Sequence, residues 1–178
     1  MIFRYMEAGG GSMEISEKKI SNDVLIDMAQ YSFTRLDGAW FLAVAEKYGI
    51  DTAWEMDVAA WTRFAYGFGK KIRTSIIPDP VWPDSFIEAL QILSDVLKIE
   101  GRDLTMEHGE ITVRVTDCET QKMIAKAGIA DCGIVTVQTY QGIFQGLFGK
   151  DKTLHVEHRK NLNRGDDCCE VVVRNPGL

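Results

Sequence analysis

The chain's soft, nucleophilic side chains gather in its last third, where Cys118, Cys132, Cys168 and Cys169 are joined by His158. Three thiolates and one imidazole, from Cys118, Cys132, Cys169 and His158, are the donor set of a closed tetrahedral zinc site. The spacing argues against a local knuckle, because no pair has the short C-x2-C or C-x4-C form. The fold would have to assemble the four from separate elements. A second reading is a reactive thiol. Cys132 follows Asp131 at an expected helix start, where the helix dipole favours a thiolate, and His158 would be its base. The third reading is packing, since free cysteine is among the most buried residue types, and on that base rate it is preferred.

Strand parity sharpens the metal reading. Between Thr153 and Arg159, alternation puts Leu154, Val156 and His158 on one face and His155, Glu157 and Arg159 on the other. On the last strand Cys169, Val171 and Val173 share a face. His158 and Cys169 are therefore expected to point inward as near cross-strand neighbours.

The aromatic residues offer a different chemistry. Trp40, Trp54, Trp61 and Phe64, with Phe68, could wall a pocket for a flat apolar ligand, although aromatic stripes at helical spacing are usually core. Glu46, Glu55 and Asp57 are assigned to solvated faces and capping. Gly142, Gly146 and Gly149 lack a preceding strand and a Lys-Ser/Thr end, so no phosphate-cradling loop is expected. A Gly-x-x-x-Gly spacing within a helix instead permits close approach of another backbone. There is no Ser-His-Asp arrangement, HExxH or paired-carboxylate motif, so hydrolysis would have to rest on the Cys/His set.

The elements that position these residues are legible from periodicity. Val24, Met28, Tyr31, Trp40, Val44 and Tyr48 recur at helical intervals from Ser21 to Tyr48, with Gly38 a candidate bend and Gly49 a stop. Thr52 to Glu55 has capping-box form and opens a second helix carrying the stripe Trp54, Val58, Trp61, Ala65, Phe68 and Ile72. Ser85 to Glu88 repeats the pattern for a third, with Phe86, Leu90, Leu93 and Leu97 on one face. The period changes from 3.6 to two at Gly101, giving a hairpin around Gly109. A short helix from Glu119 to Lys126, a second from Asp131 to Phe148 interrupted at Gly142 and Gly146, and strands Thr153 to Arg159 and Cys168 to Arg174 follow. Helices and strands segregated in this way imply an α+β domain with an antiparallel sheet.

Composition sets the outer bounds. A chain of 178 residues, 46% apolar, is the size of one domain with a sizeable core. It divides into a lead-in over 1–20 and a single domain over 21–176, helical over 21–100 and sheet-rich over 101–176. Gly9 to Ser12 read as flexible, with Met13 a candidate start. A net charge of −6 disfavours nucleic acid as a partner. No apolar run approaches a membrane span and no signal-peptide pattern opens the chain, so a cytoplasmic location with reduced thiols is expected.

Two segments carry a resemblance. The tail His155-Val-Glu-His158-Arg-Lys-Asn-Leu-Asn-Arg-Gly165-Asp-Asp-Cys168-Cys169-Glu-Val-Val-Val resembles that of 4-vinyl reductase type domains and of L-2-amino-thiazoline-4-carboxylic acid hydrolase-like proteins. The front, Leu36-Asp37-Gly38-Ala-Trp40-Phe-Leu-Ala-Val-Ala-Glu46-Lys-Tyr48-Gly49, is similar to an uncharacterised prokaryotic family. The resemblance covers residues 20–175. It implies helices on one side of a twisted antiparallel sheet, like the ligand-binding domain of nitric-oxide signalling and Golgi-transport proteins. It departs from the haem-binding branch, because His108 is expected in a turn and the other two histidines on a strand. Neither haem nor nucleotide is expected, and zinc is the candidate cofactor. The first function reading is a small-molecule-binding or sensing domain with an apolar pocket, as a homodimer. The alternatives are a thiazoline-carboxylate hydrolase-like enzyme acting on a cyclic C=N or amide, and a tethering or assembly subunit.

Overall fold

Apolar spacing and a one-residue turn lay out the helical front in the computed structural model, which describes residues 19–99, 101–175 and 177. The expected lead-in up to residue 18, with Gly9 to Ser12 and Met13, lies outside the described residues. Helix α1 spans Asn22–Tyr48 and passes through Gly38 without a break. Gly49, at φ +88°, is the single residue separating it from α2, Ile50–Ser75. Because the chain re-enters the helix at once, Thr52 already lies in the first turn and its expected capping box does not form. The third helix, α3, spans Asp84–Leu97. There Ser85 Oγ accepts from the Val81 N–H at 2.8 Å, so its hydroxyl closes the preceding turn and does not form the expected box with Glu88.

A hairpin follows: β1, Arg102–Glu107, and β2, Glu110–Val115, joined by His108 and Gly109, both at positive φ. That pair of left-handed residues suits a two-residue turn matched to strand twist. Helices α4, Glu119–Lys126, and α5, Gly133–Phe148, lead to β3, His155–Lys160. A short 3-10 turn, Leu162–Arg164, precedes β4, Cys169–Arg174. The four strands form one antiparallel sheet in the order β1-β2-β4-β3. The fold is α+β, with helices packed on that sheet.

Residues Ile111, Val113, Val171 and Val173 of the central strands meet Phe86, Leu90, Ile143, Phe144 and Leu147 of α3 and α5 in one core. Each of these side chains is at most 3% exposed, and burial of one such residue contributes roughly 1.5–3 kcal/mol. The opposite face of the sheet carries ion pairs, including Arg174 with Glu110 and Arg159 with Glu157.

Helices α2 and α5 cross at glycines. A Cβ built on Gly69 would lie 2.4 Å from the Ile143 carbonyl oxygen, one on Gly146 would lie 2.5 Å from that of Tyr66, and one on Gly142 would lie 2.8 Å from Ala65 Cβ. The expected interruption of α5 at Gly142 and Gly146 is therefore absent, since these residues are needed for contact with α2 and not for a bend.

Candidate functional site

The helices leave space over the sheet. A cavity of about 440 Å³ lies between the inner faces of the five helices and the Val113, Val115 and Val171 side of the sheet. Its position follows from side-chain size: where α2 meets α5 the contacts are glycine and alanine, whereas nearer the start of α2 the wall residues are Trp54 and Trp61. Phe41 of α1, Leu93 and Leu97 of α3, Met123 and Ile124 of α4, and Val135 of α5 extend the apolar lining. Leu42, Thr120, Met123 and Lys126 line it while exposed to solvent, so the mouth lies between α1 and α4.

The polar groups in this lining are few. Asp57 sits on α2 between Trp54 and Trp61 and is only 7% exposed. Burial, reinforced by the neighbouring charge of Asp37, pushes its carboxyl up to about 6. Burial also raises Asp37, and the Trp61 indole N–H offsets part of that rise. On α5, the helix packed against α2, Thr139 is 5% exposed, and its hydroxyl has no hydrogen-bond partner among the described residues. Tyr140 beside it is raised by burial, so its phenol is neutral.

Three thiols, Cys118, Cys132 and Cys169, also face the cavity, and each of Cys118 and Cys169 acts electrostatically on Cys132. The fourth expected zinc ligand is placed differently. His158 packs against the start of α5, where a Cβ on Gly133 would lie 2.6 Å from its Nδ1, and both ring nitrogens are buried without a hydrogen-bond partner among the described residues. It stands opposite Val171, while Cys169 stands opposite Val115, so the two share a face but are not direct neighbours. Among the described residues no group of three or more His, Cys, Asp or Glu is arranged to hold a metal ion.

Cys132 differs from its expected activation as well. It is the residue before α5 and buried, and burial together with the neighbouring thiols pushes it up to about 11. Desolvation outweighs the helix dipole there. Its sulfur points to Asn161 Oδ1 at 3.7 Å, not to His158. Burial lowers His158 from its ordinary range, leaving a neutral ring without a thiol partner.

Asn161 anchors this corner. Its Nδ2 donates to Asp131 Oδ1 at 2.6 Å, its Oδ1 accepts from the Asn163 N–H at 2.9 Å, and its own N–H donates to Asp166 at 2.7 Å. Asp131 accepts in addition from the Gly133 N–H and from Arg164. Burial alone would raise Asp131, but these donors hold it below the usual carboxylate range. The network ties the β3–β4 connection to the start of α5, and so fixes the cysteine-bearing end of the cavity.

Of the aromatic candidates, Trp54 and Trp61 line the cavity and Trp40 and Phe64 do not. Trp40 is 44% exposed. Phe64 is taken up in a ring stack with Phe33, Trp61 and Phe68 along the α1–α2 seam. The polar residues of the cavity were missed from sequence. By type Asp57 reads as a solvated or capping acid, yet Trp54-x-x-Asp57-x-x-x-Trp61 places it on the apolar stripe, and that spacing is the available signal.

The fold and site define an α+β domain with a helix-roofed, mainly apolar cavity of small-molecule size. The chain belongs to a family of unknown function, DUF6125, whose sequence profile matches residues 14–157. No curated protein matches it. Among solved structures, the phenol-responsive sensory domain of the transcription activator PoxR, crystallised with phenol, is similar at 9% identity and a TM-score of 0.47. That similarity covers 97% of this chain and 84% of the other. No described helix is long and apolar enough to cross a membrane.

Proposed function

We propose that the protein is a small-molecule-binding or sensing domain that holds its ligand in the cavity between the helices and the sheet. The observation that carries this reading is the cavity of about 440 Å³, apolar over most of its lining with a few convergent polar groups. Ligand sites typically have that size and that mixture. A thiazoline-carboxylate hydrolase would need an activated thiol or a metal, and a Cys132 thiol pushed up to about 11 stays protonated at neutral pH. Native mass spectrometry and thermal-shift assays with a panel of small neutral aromatics test the reading. Binding of several members at micromolar to millimolar strength supports it, and no binding by any member overturns it.

The homodimer reading has support from α1. This helix of 27 residues has no buried residue, and Leu25, Met28 and Leu36 lie on the side away from α2. Leu36 is 72% exposed. Val24, Leu25, Ile26 and Met28 of α1 are each at least half exposed as well, and a standard interface takes about 800 Å² from each partner. A twofold axis would lay α1 antiparallel on the α1 of a second copy and bury this stripe twice.

A further inference from the structure

We propose that the cavity selects a small organic ammonium compound, an arylalkylamine in the simplest case, with its cation held between Asp37 and Asp57 and its apolar body directed toward the sheet. This rests on the reading of the cavity as a ligand site and names the chemistry of its occupant.

Asp57 is an uncommon residue for an apolar wall. At 7% exposure it has no hydrogen bond or ion pair among the described residues, and the two influences on its carboxyl are burial and the charge of Asp37. A buried carboxylate without a partner is costly, and a ligand cation would relieve that cost. Lys126 is the one basic side chain in the cavity lining, and it is exposed at the mouth, away from the groups that act on Asp57.

Aromatic faces adjoin both carboxylates. Asp57 follows Trp54 by three residues and precedes Trp61 by four, and Asp37 precedes Phe41 by four, so each acid has an aromatic neighbour on its own helix face. All five side chains line the cavity. Indole and phenyl faces attract cations through their quadrupole, and a carboxylate adds a charge-assisted hydrogen bond, which together make an ammonium receptor. Thr139 of the adjoining α5, 5% exposed and unpartnered among the described residues, leaves one hydroxyl for a second polar group of the ligand. The same electrostatics repel an anion.

Calorimetry with three compounds of one shape tests this: 2-phenylethylamine, 2-phenylethanol and 3-phenylpropionate. The expected order on the wild-type protein is amine over alcohol by roughly tenfold or more, with the carboxylate weakest. Asp57→Asn and Asp37→Asn should each reduce the preference for amine over alcohol while retaining alcohol binding. Equal binding of amine and alcohol, or tighter binding of the carboxylate, overturns the ammonium proposal and leaves the cavity reading standing. Failure of all three compounds overturns the cavity reading as well. The comparison of compounds on wild type decides the matter even where a variant fails to fold.

Discussion

Asp57 of α2 and Asp37 of α1 stand close enough across the helix pair for the charge of one to raise the other, and Asp57 is pushed up to about 6 as a result of burial and this repulsion. A carboxylate kept in an apolar wall is a cost to the empty protein. Its removal should therefore be measurable.

Asp57→Asn is expected to stabilise the ligand-free protein near neutral pH. Because the folded carboxyl is raised above its unfolded value, the native state binds the proton more tightly. Stability falls as pH rises from about 4 through about 6 and then levels off. Since water reaches the cavity, the penalty is about 1–2 kcal/mol, less than the full shift implies, or roughly 2–6 °C in the melting midpoint. Thermal melts of both proteins at pH 4 and pH 7.5 check this. A gain at pH 7.5 that vanishes at pH 4 agrees, and a loss at pH 7.5 contradicts it.

The α2–α5 crossing should not tolerate a methyl group. Gly146→Ala would drive a Cβ to 2.5 Å from the Tyr66 carbonyl oxygen. Overpacking of this kind costs about 2–3 kcal/mol, more than the roughly 1 kcal/mol that alanine gains in helix propensity. Gly67→Ala, on the same α2 but with nothing within 4 Å, should gain that propensity instead. Urea denaturation of the two variants gives opposite signs if the crossing is as described.

Thiol reactivity separates the two readings of Cys132. A thiol pushed up to about 11 carries little thiolate at pH 8, so alkylation should run on the order of 100-fold slower than for an exposed cysteine. Iodoacetamide labelling followed by peptide mass spectrometry measures it. Rapid modification of Cys132 would restore the nucleophile reading.

If α1 forms the dimer contact, the wild-type protein elutes as a dimer in size-exclusion chromatography with light scattering, and Met28→Glu combined with Leu36→Glu makes it monomeric. Both positions are exposed, so the folded protomer should survive the change. A wild-type monomer would contradict the dimer.

Local patterns carried most of the architecture. The shift to two-residue periodicity at Gly101 marks the place where the sheet begins, and the alternation of Val171 and Val173 puts them on its inner face as expected. Helix limits were less legible where tertiary structure sets them: the one-residue break at Gly49 is a feature of chain path, and Thr52 reads as a cap only if a longer loop precedes it. The Gly142 and Gly146 pair shows both sides, since the spacing implied close approach while intrinsic propensity implied a break. The site was harder to see because it is assembled from distant segments. Parity correctly turned His158 inward, but parity cannot reveal that Gly133 leaves room for the ring at the start of α5.

The cavity itself is tested most directly by filling it. Gly38 lines the cavity, and a Cβ there meets nothing within 4 Å, so Gly38→Phe would place a ring in or across the space without a backbone clash. Calorimetric titration of wild type and this variant with 2-phenylethanol is the measurement. Binding to the wild type that weakens by roughly tenfold or more in a Gly38→Phe protein with an unchanged fold is the predicted result. Equal binding to both proteins would place the ligand elsewhere and contradict the account.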